Sequence, residues 1–160
     1  SALDSGMDDR FRSADGFAKL VAALDIVFVN RRSAARILGR GLASEHLVGA
    51  MAGYLAGLPE RGDVVLTLGP DVAAVFEADR TDPIRVRAPS VLVVFGSGAG
   101  DCFVGAYLGQ RLHDFDRQTA AAGACVAASL SMTAEGAQGR RVPAAELGPD
   151  AAAPTLRATP

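Results

Sequence analysis

The residues best suited to chemistry lie in one stretch, "SVLVVFGSGAGDCFVGAYLGQRL", residues 90–112. An apolar run, read as a buried strand, leads into glycines 96, 98 and 100, and Asp101 closes the cluster where a helix-like pattern begins. Backbone N–H groups without side chains at a helix entrance gather anionic oxygen, and the helix dipole favours negative charge there. Gly98, Ala99 and Gly100 are a candidate nest of amides, and Asp101 is a carboxylate beside it. The competing reading is a tight turn with Asp101 as an ordinary N-cap. A carboxylate next to an anion nest makes sense where it takes a proton from a hydroxyl while the nest holds the charge of a transferred phosphoryl group. That chemistry belongs to a kinase in which an alcohol attacks ATP.

Two other phosphate-binding loops fit less well. A P-loop needs GxxxxGK[ST], and Lys19, the sole lysine, has no glycine loop around it. The dinucleotide fingerprint GxGxxG finds Gly96 and Gly98 in its first two positions, but Asp101 stands at the third. A carboxylate there crowds the helix–strand contact and repels a pyrophosphate, so a dinucleotide-binding oxidoreductase fragment is the weaker alternative.

The elements that must position this loop are legible in the apolar spacing. Residues 14–24 place Phe17, Leu20, Val21 and Leu24 along one helical stripe, and "DIVFVN" follows as a short buried strand ending at Asn30. Residues 31–39 read as a helix stopped by Gly39, and 44–57 as another, opened by Ser44 and closed by Gly57 before Pro59. "DVVLTLG" is a continuous apolar strand, as expected of one covered on both faces. "AAVFEA" and "IRVRAP" suggest an antiparallel excursion, and residues 99–112 and 116–131 read as two helices. Strands alternating with helices predict an α/β layer structure with a mainly parallel sheet.

Composition limits the function classes. A chain of 160 residues with 49% hydrophobic content supports a sizeable core, and a net charge of −2 gives no footprint for nucleic acid or an anionic membrane. Cys102 and Cys125 are too few and too isolated for a disulfide framework or a zinc site, which predicts reduced thiols, a cytoplasmic setting and no metal-ligating cluster. No apolar run reaches membrane-spanning length. The opening "SALD" reads as the end of a strand, so the chain is expected to start inside a larger fold.

Four segments, in order, resemble the ribokinase-like, or PfkB, family of carbohydrate kinases. "FGSGAGDCF" is similar to that family's D-T-T-G-A-G-D-x-F signature, matching from Ser97 to Phe103. "LDIVFVNRRSAARILG" resembles its strand followed by N-x-x-E, "VVLTLGPDVAAVF" its strand followed by T-x-G-x-x-G, and "AASLSMTAEGAQGRRVP" its C-terminal helix and ion-binding loop. The resemblance implies a ribokinase-like α/β fold over residues 1–150, lacking a counterpart of the N-terminal half and lid, with 151–160 as a flexible tail. It implies ATP and Mg2+ as cofactors and a sugar or sugar-acid hydroxyl as acceptor, and it is compatible with a homodimer. Asp101 would be the base, and Gly98, Ala99 and Gly100 the anion hole, with Ser97 adjoining. Thr67 and Gly69 would contact the nucleotide phosphates, and Asn30 the phosphates and the magnesium water shell. The helix from Ala121 to Ser129 and the loop Thr133 to Gln138 would border the adenine and a monovalent-cation site.

The sequence departs from the family pattern at three positions, the first two of which thin the cation machinery. Ser33 stands at the glutamate of N-x-x-E, Phe95 at the first aspartate of the signature, and Val72 at the second glycine of T-x-G-x-x-G. A nucleotide-binding or structural domain without catalysis is therefore the principal alternative. His46 and His113 are expected to be solvent-facing or satisfied helix histidines, Cys102 to serve packing, and Arg31, Arg32 and Arg36 to form a solvated helix face, with phosphate contact as their other use.

Overall fold

A computed structural model describes residues 13–39, 44–69, 72–80, 82–94 and 96–133. The expectations for the opening "SALD", the loop 134–138 and the tail 151–160 lie outside them, as does Phe95. The chain divides into two compact units, Ser1–Arg87 and Ala88–Pro160.

The first unit runs α1 (Ala14–Ala23), β1 (Ile26–Asn30), α2 (Arg31–Leu38), α3 (Ser44–Ala56), β2 (Asp63–Thr67), β3 (Val72–Phe76) and β4 (Ile84–Arg87). Ser13 caps α1 by accepting the Gly16 N–H, and α2 stops at Gly39 as the sequence predicts. The sheet order is β1-β2-β3-β4. β1 and β2 run parallel, because two helices connect them, whereas β2–β3 and β3–β4 are antiparallel. The described part of the sheet is thus mixed. The connection from β2 to β3 is a hairpin closed by the Leu68 N–H donating to the Val72 carbonyl at 3.0 Å, too short for a crossover. The antiparallel excursion expected after β2 is present.

Register separates the faces of the sheet. Val27 and Val29 lie beside Val64 and Leu66, which lie beside Phe76 and Ala74. These six form the core with Phe17, Val21, Ala34, Ile37, Leu47, Met51 and Leu55 from the three helices. Alternation sends Asn30 and Thr67, also register partners, to the opposite face. At the far end of β2, Arg61 donates to the carbonyls of Phe76 and Glu77 at 3.3 and 2.5 Å, tying the hairpin shut.

The second unit contains α4 (Ala99–Leu112) and α5 (Arg117–Ser131). Asp116 caps α5 by accepting the Thr119 N–H at 2.9 Å, which holds its carboxyl below the usual range. The small residues that dominate α5 allow close packing, and Ala120, Ala121, Ala124 and Ala127 are buried there. The buried strand expected over residues 91–95 is not found. Val91–Val94 form no ladder among the described residues, and Leu92 is 84% exposed. The Val94 N–H donates instead to the Met132 carbonyl at 2.8 Å.

The α4–α5 contact yields a stability prediction. Both polar atoms of the buried Gln110 side chain lack a partner among the described residues, and a Cβ at Gly123 would lie 2.0 Å from Gln110 Nε2. Gln110→Leu is expected to stabilise the protein by about 1–3 kcal/mol by removing an unsatisfied amide. Gly123→Ala should cost about 1–3 kcal/mol alone and become neutral or favourable once Gln110 is alanine. Denaturant unfolding followed by circular dichroism reads this cycle, and additive effects would contradict the contact.

Candidate functional site

In the first unit, the parallel pair brings its candidate residues to one edge. Asn30 ends β1 and Thr67 ends β2, side by side, at the carboxyl ends of the strands, where open α/β sheets bind ligands. Asn30 also begins α2, its Oδ1 accepting the Ser33 N–H at 2.8 Å. Two residues beyond Thr67, Gly69 is exposed with φ +85, a conformation that L side chains rarely adopt. The first turn of α2 holds no acid. Sequence reasoning missed the particular role of Arg31. It was expected on a solvated face with Arg32 and Arg36, which are indeed exposed, but its Nη2 donates to the Leu68 carbonyl.

In the second unit, α4 begins at Gly98 with φ 87 and no side-chain cap. The ordinary N-cap reading of Asp101 fails on position, because Asp101 lies inside the first turn and is exposed. The Cys102 N–H makes the first intrahelical bond, to the Gly98 carbonyl at 3.0 Å. By helix geometry the N–H groups of Ala99, Gly100 and Asp101 precede any intrahelical acceptor. An added Cβ at Gly100 would meet nothing within 4 Å, so packing does not require glycine there. Ser97 is exposed just before the helix, whereas Ser129 is buried in α5 at 1% exposure. The structure therefore gathers Asn30, Thr67 and Gly69 at one strand edge, and Ser97 to Asp101 at one helix entrance.

Neither thiol is activated. Cys102 Sγ lies 3.5 Å from the Ala127 carbonyl, and burial raises its pKa. Burial pushes the Cys125 thiol up from 9.0 to about 11. The neutral thiol is favoured in the folded state, so its contribution to stability is complete below pH 9.0 and lost as pH rises through about 11. A thiol reagent at pH 8 is expected to spare Cys125 in the native protein and label it on unfolding; rapid native labelling would contradict this burial. His46 and His113 are exposed, as expected, and no group of three potential metal ligands exists among the described residues. No described helix is long and apolar enough to cross a membrane.

Comparison with known proteins bears on the family and the fold. The family model of pfkB family carbohydrate kinases matches residues 1–145. No curated protein sequence matches the chain. Among solved structures, the Arabidopsis thaliana ribokinase complexed with ribose and ATP is 27% identical with a TM-score of 0.64, over 75% of this chain and 38% of its own. A ribokinase II-type protein from E. coli, solved with ATP and Mg2+, is 25% identical with a TM-score of 0.60, over 77% of this chain and 37% of its own. The Anopheles gambiae adenosine kinase, in complex with a di-adenosine tetraphosphate, shares the fold at 21% identity and a TM-score of 0.64, over 76% of this chain and 38% of its own. The chain thus spans less than two-fifths of each of these three structures, and the ribokinase-like α/β class expected from the sequence is the one found.

Proposed function

The chain belongs to the pfkB family of carbohydrate kinases, and from that premise we propose that it forms the nucleotide-binding and catalytic portion of a kinase transferring the γ-phosphoryl of ATP to a sugar or sugar-acid hydroxyl. The observation that carries this reading is the entrance of α4, where a left-handed Gly98 without a side-chain cap leads into a first turn holding Asp101. In the proposed step the acceptor oxygen bonds to the γ-phosphorus, the bond to the β–γ bridging oxygen breaks, and ADP leaves. The acceptor's proton passes to the Asp101 carboxylate. Amides of Gly98, Ala99 and Gly100 hold the equatorial oxygens of the group in flight. Thr67, Gly69 and Asn30 meet the nucleotide phosphates, Ser97 adjoins the nest, and the Ala121–Ser129 stretch of α5 borders the adenine, with Ser129 acting through packing because it is buried. Reduced thiols fit a cytoplasmic setting.

Magnesium fits the head of α2 poorly. The head of α2 presents Asn30, Arg31, Arg32 and Ser33, a donor set without a carboxylate. No step is therefore assigned to an ion held by these residues. The same feature favours a second reading, a nucleotide-binding portion without catalysis. Family membership leaves the dinucleotide-binding oxidoreductase without support.

Phosphorus NMR of the protein with ATP and a panel of sugars, sugar acids and nucleosides tests the proposal. Formation of ADP with one phosphorylated acceptor supports it. ATP binding without any transfer supports the second reading, and absence of both contradicts the nucleotide site.

A further inference from the structure

We propose that the last turn of α5 clamps the glycine turn at both of its ends, through Val94 before it and the Cys102–Ser131 pair after it, so that Cys102 and Ser131 are positioning residues for the anion-binding amides. The inference rests on the nucleotide-binding reading above and specifies what holds its phosphate-binding turn in place.

The turn has little of its own to hold it. Gly96, Gly98 and Gly100 belong to it, and glycine gives up more conformational freedom on ordering than any other residue. Gly98 has φ 87 and supplies no side-chain cap, and an added Cβ at Gly96 or Gly100 would meet nothing within 4 Å. Gly96, Ser97, Gly100 and Asp101 are exposed. Packing therefore leaves the turn open, and its geometry has to be imposed by the residues that flank it.

Both flanks meet the same end of α5. On one side the Val94 N–H donates at 2.8 Å to the carbonyl of Met132, the C-cap of α5. On the other, the Cys102 N–H closes the first turn of α4 on the Gly98 carbonyl at 3.0 Å, and Cys102 Sγ donates to the Ala127 carbonyl at 3.5 Å. The Ser131 side chain hydrogen-bonds the same thiol. Its Oγ also donates at 2.8 Å to the Ala128 carbonyl, one of the last four that a helix end leaves without an intrahelical partner. Ser131 is buried and Cys102 half-buried, so water competes little for these bonds. Burial also keeps the thiol protonated, which preserves its S–H as a donor. Phe103, the next residue and 4% exposed, seats the same turn of α4. One backbone bond and one pair of side chains thus fix the two ends between which the bare amides lie.

Amide nitrogen relaxation at Gly98, Ala99, Gly100 and Asp101, with calorimetric titration of ATP on the same full chain, tests the clamp. Wild-type order parameters are expected at about 0.85, the value of rigid backbone, and should fall toward about 0.6 in Cys102→Ala and in Ser131→Ala, while the Ala121–Val126 amides of α5 stay unchanged. Affinity for ATP should drop by roughly three- to tenfold in either variant. The double variant should lose little more than one of them, since the two side chains act through each other. Cys102→Ser discriminates positioning from space-filling. A hydroxyl keeps the donor and should recover most of the affinity lost in Cys102→Ala, whereas at a site that only needs filling a buried hydroxyl does no better than alanine. Unchanged order parameters in both alanine variants, or a serine variant no better than alanine, would overturn the clamp whatever ATP does. A wild-type chain without affinity for ATP would overturn the nucleotide reading and the use assigned to the clamp, while the order parameters still report the clamp itself. Alanine is the best helix former, so the two alanine variants are expected to fold.

Discussion

Asp101→Asn is expected to lower phosphoryl transfer by roughly two to four orders of magnitude, the usual contribution of a positioned general base. Asparagine keeps the shape of the side chain and removes its capacity to take the acceptor's proton. Affinity for ATP should stay the same or rise slightly, because a negative charge next to the bound phosphates is lost. Asp101 is exposed in the first turn of α4, so an isosteric substitution there should leave the core packing intact. An ADP-release assay with calorimetry on the same preparation separates the effects. Equal turnover in the variant would remove the assignment, and loss of ATP binding with unchanged turnover per bound nucleotide would make Asp101 a binding residue.

The second large effect concerns stability. Phe17→Ala should destabilise the first unit by about 3–5 kcal/mol, because a fully buried ring gives way to a cavity. Phe17 lies at 0% exposure, its ring centroid 6.0 Å from that of Tyr54, inside the cluster that seats α1, α2 and α3 on the sheet. Leu24, seven residues on and 44% exposed, is the contrasting case, and Leu24→Ala should cost under about 0.5 kcal/mol. Hydrogen exchange makes the functional link visible. In Phe17→Ala the amides of β1 and β2 should lose protection, and with it the edge that presents Asn30 and Thr67. A loss below about 1 kcal/mol would show that this core does not hold the strands in place.

Much of the fold was legible because helices announce themselves locally. Phe17 and Val21 repeat at helical spacing and are both buried, and Gly39 stops α2 where predicted. Strand partners are a non-local matter. Residues 91–95 read as a buried strand from composition, yet composition does not reveal whether another strand lies alongside, and Leu92 stands in solvent. The hairpin after β2 was hidden in the same way, since its turn falls inside a segment read as the end of one strand. At the candidate site, the glycine cluster signalled the α4 entrance through φ alone, as Gly98 confirms. Arg31 was hidden because its partner, the Leu68 carbonyl, lies thirty-seven residues away. A side-chain type gives no hint of a main-chain acceptor brought near by the sheet. Ser129 shows the converse, a position marked by family resemblance whose side chain the structure encloses in α5.

Chemical shifts of the backbone amides during titration with ATP test the central claim most directly. The account predicts that the N–H resonances of Gly98, Ala99 and Gly100 move downfield together as phosphate oxygens dock, while the amides in the middle of α5 stay in place. Saturable ATP binding that leaves those three resonances unmoved would contradict it.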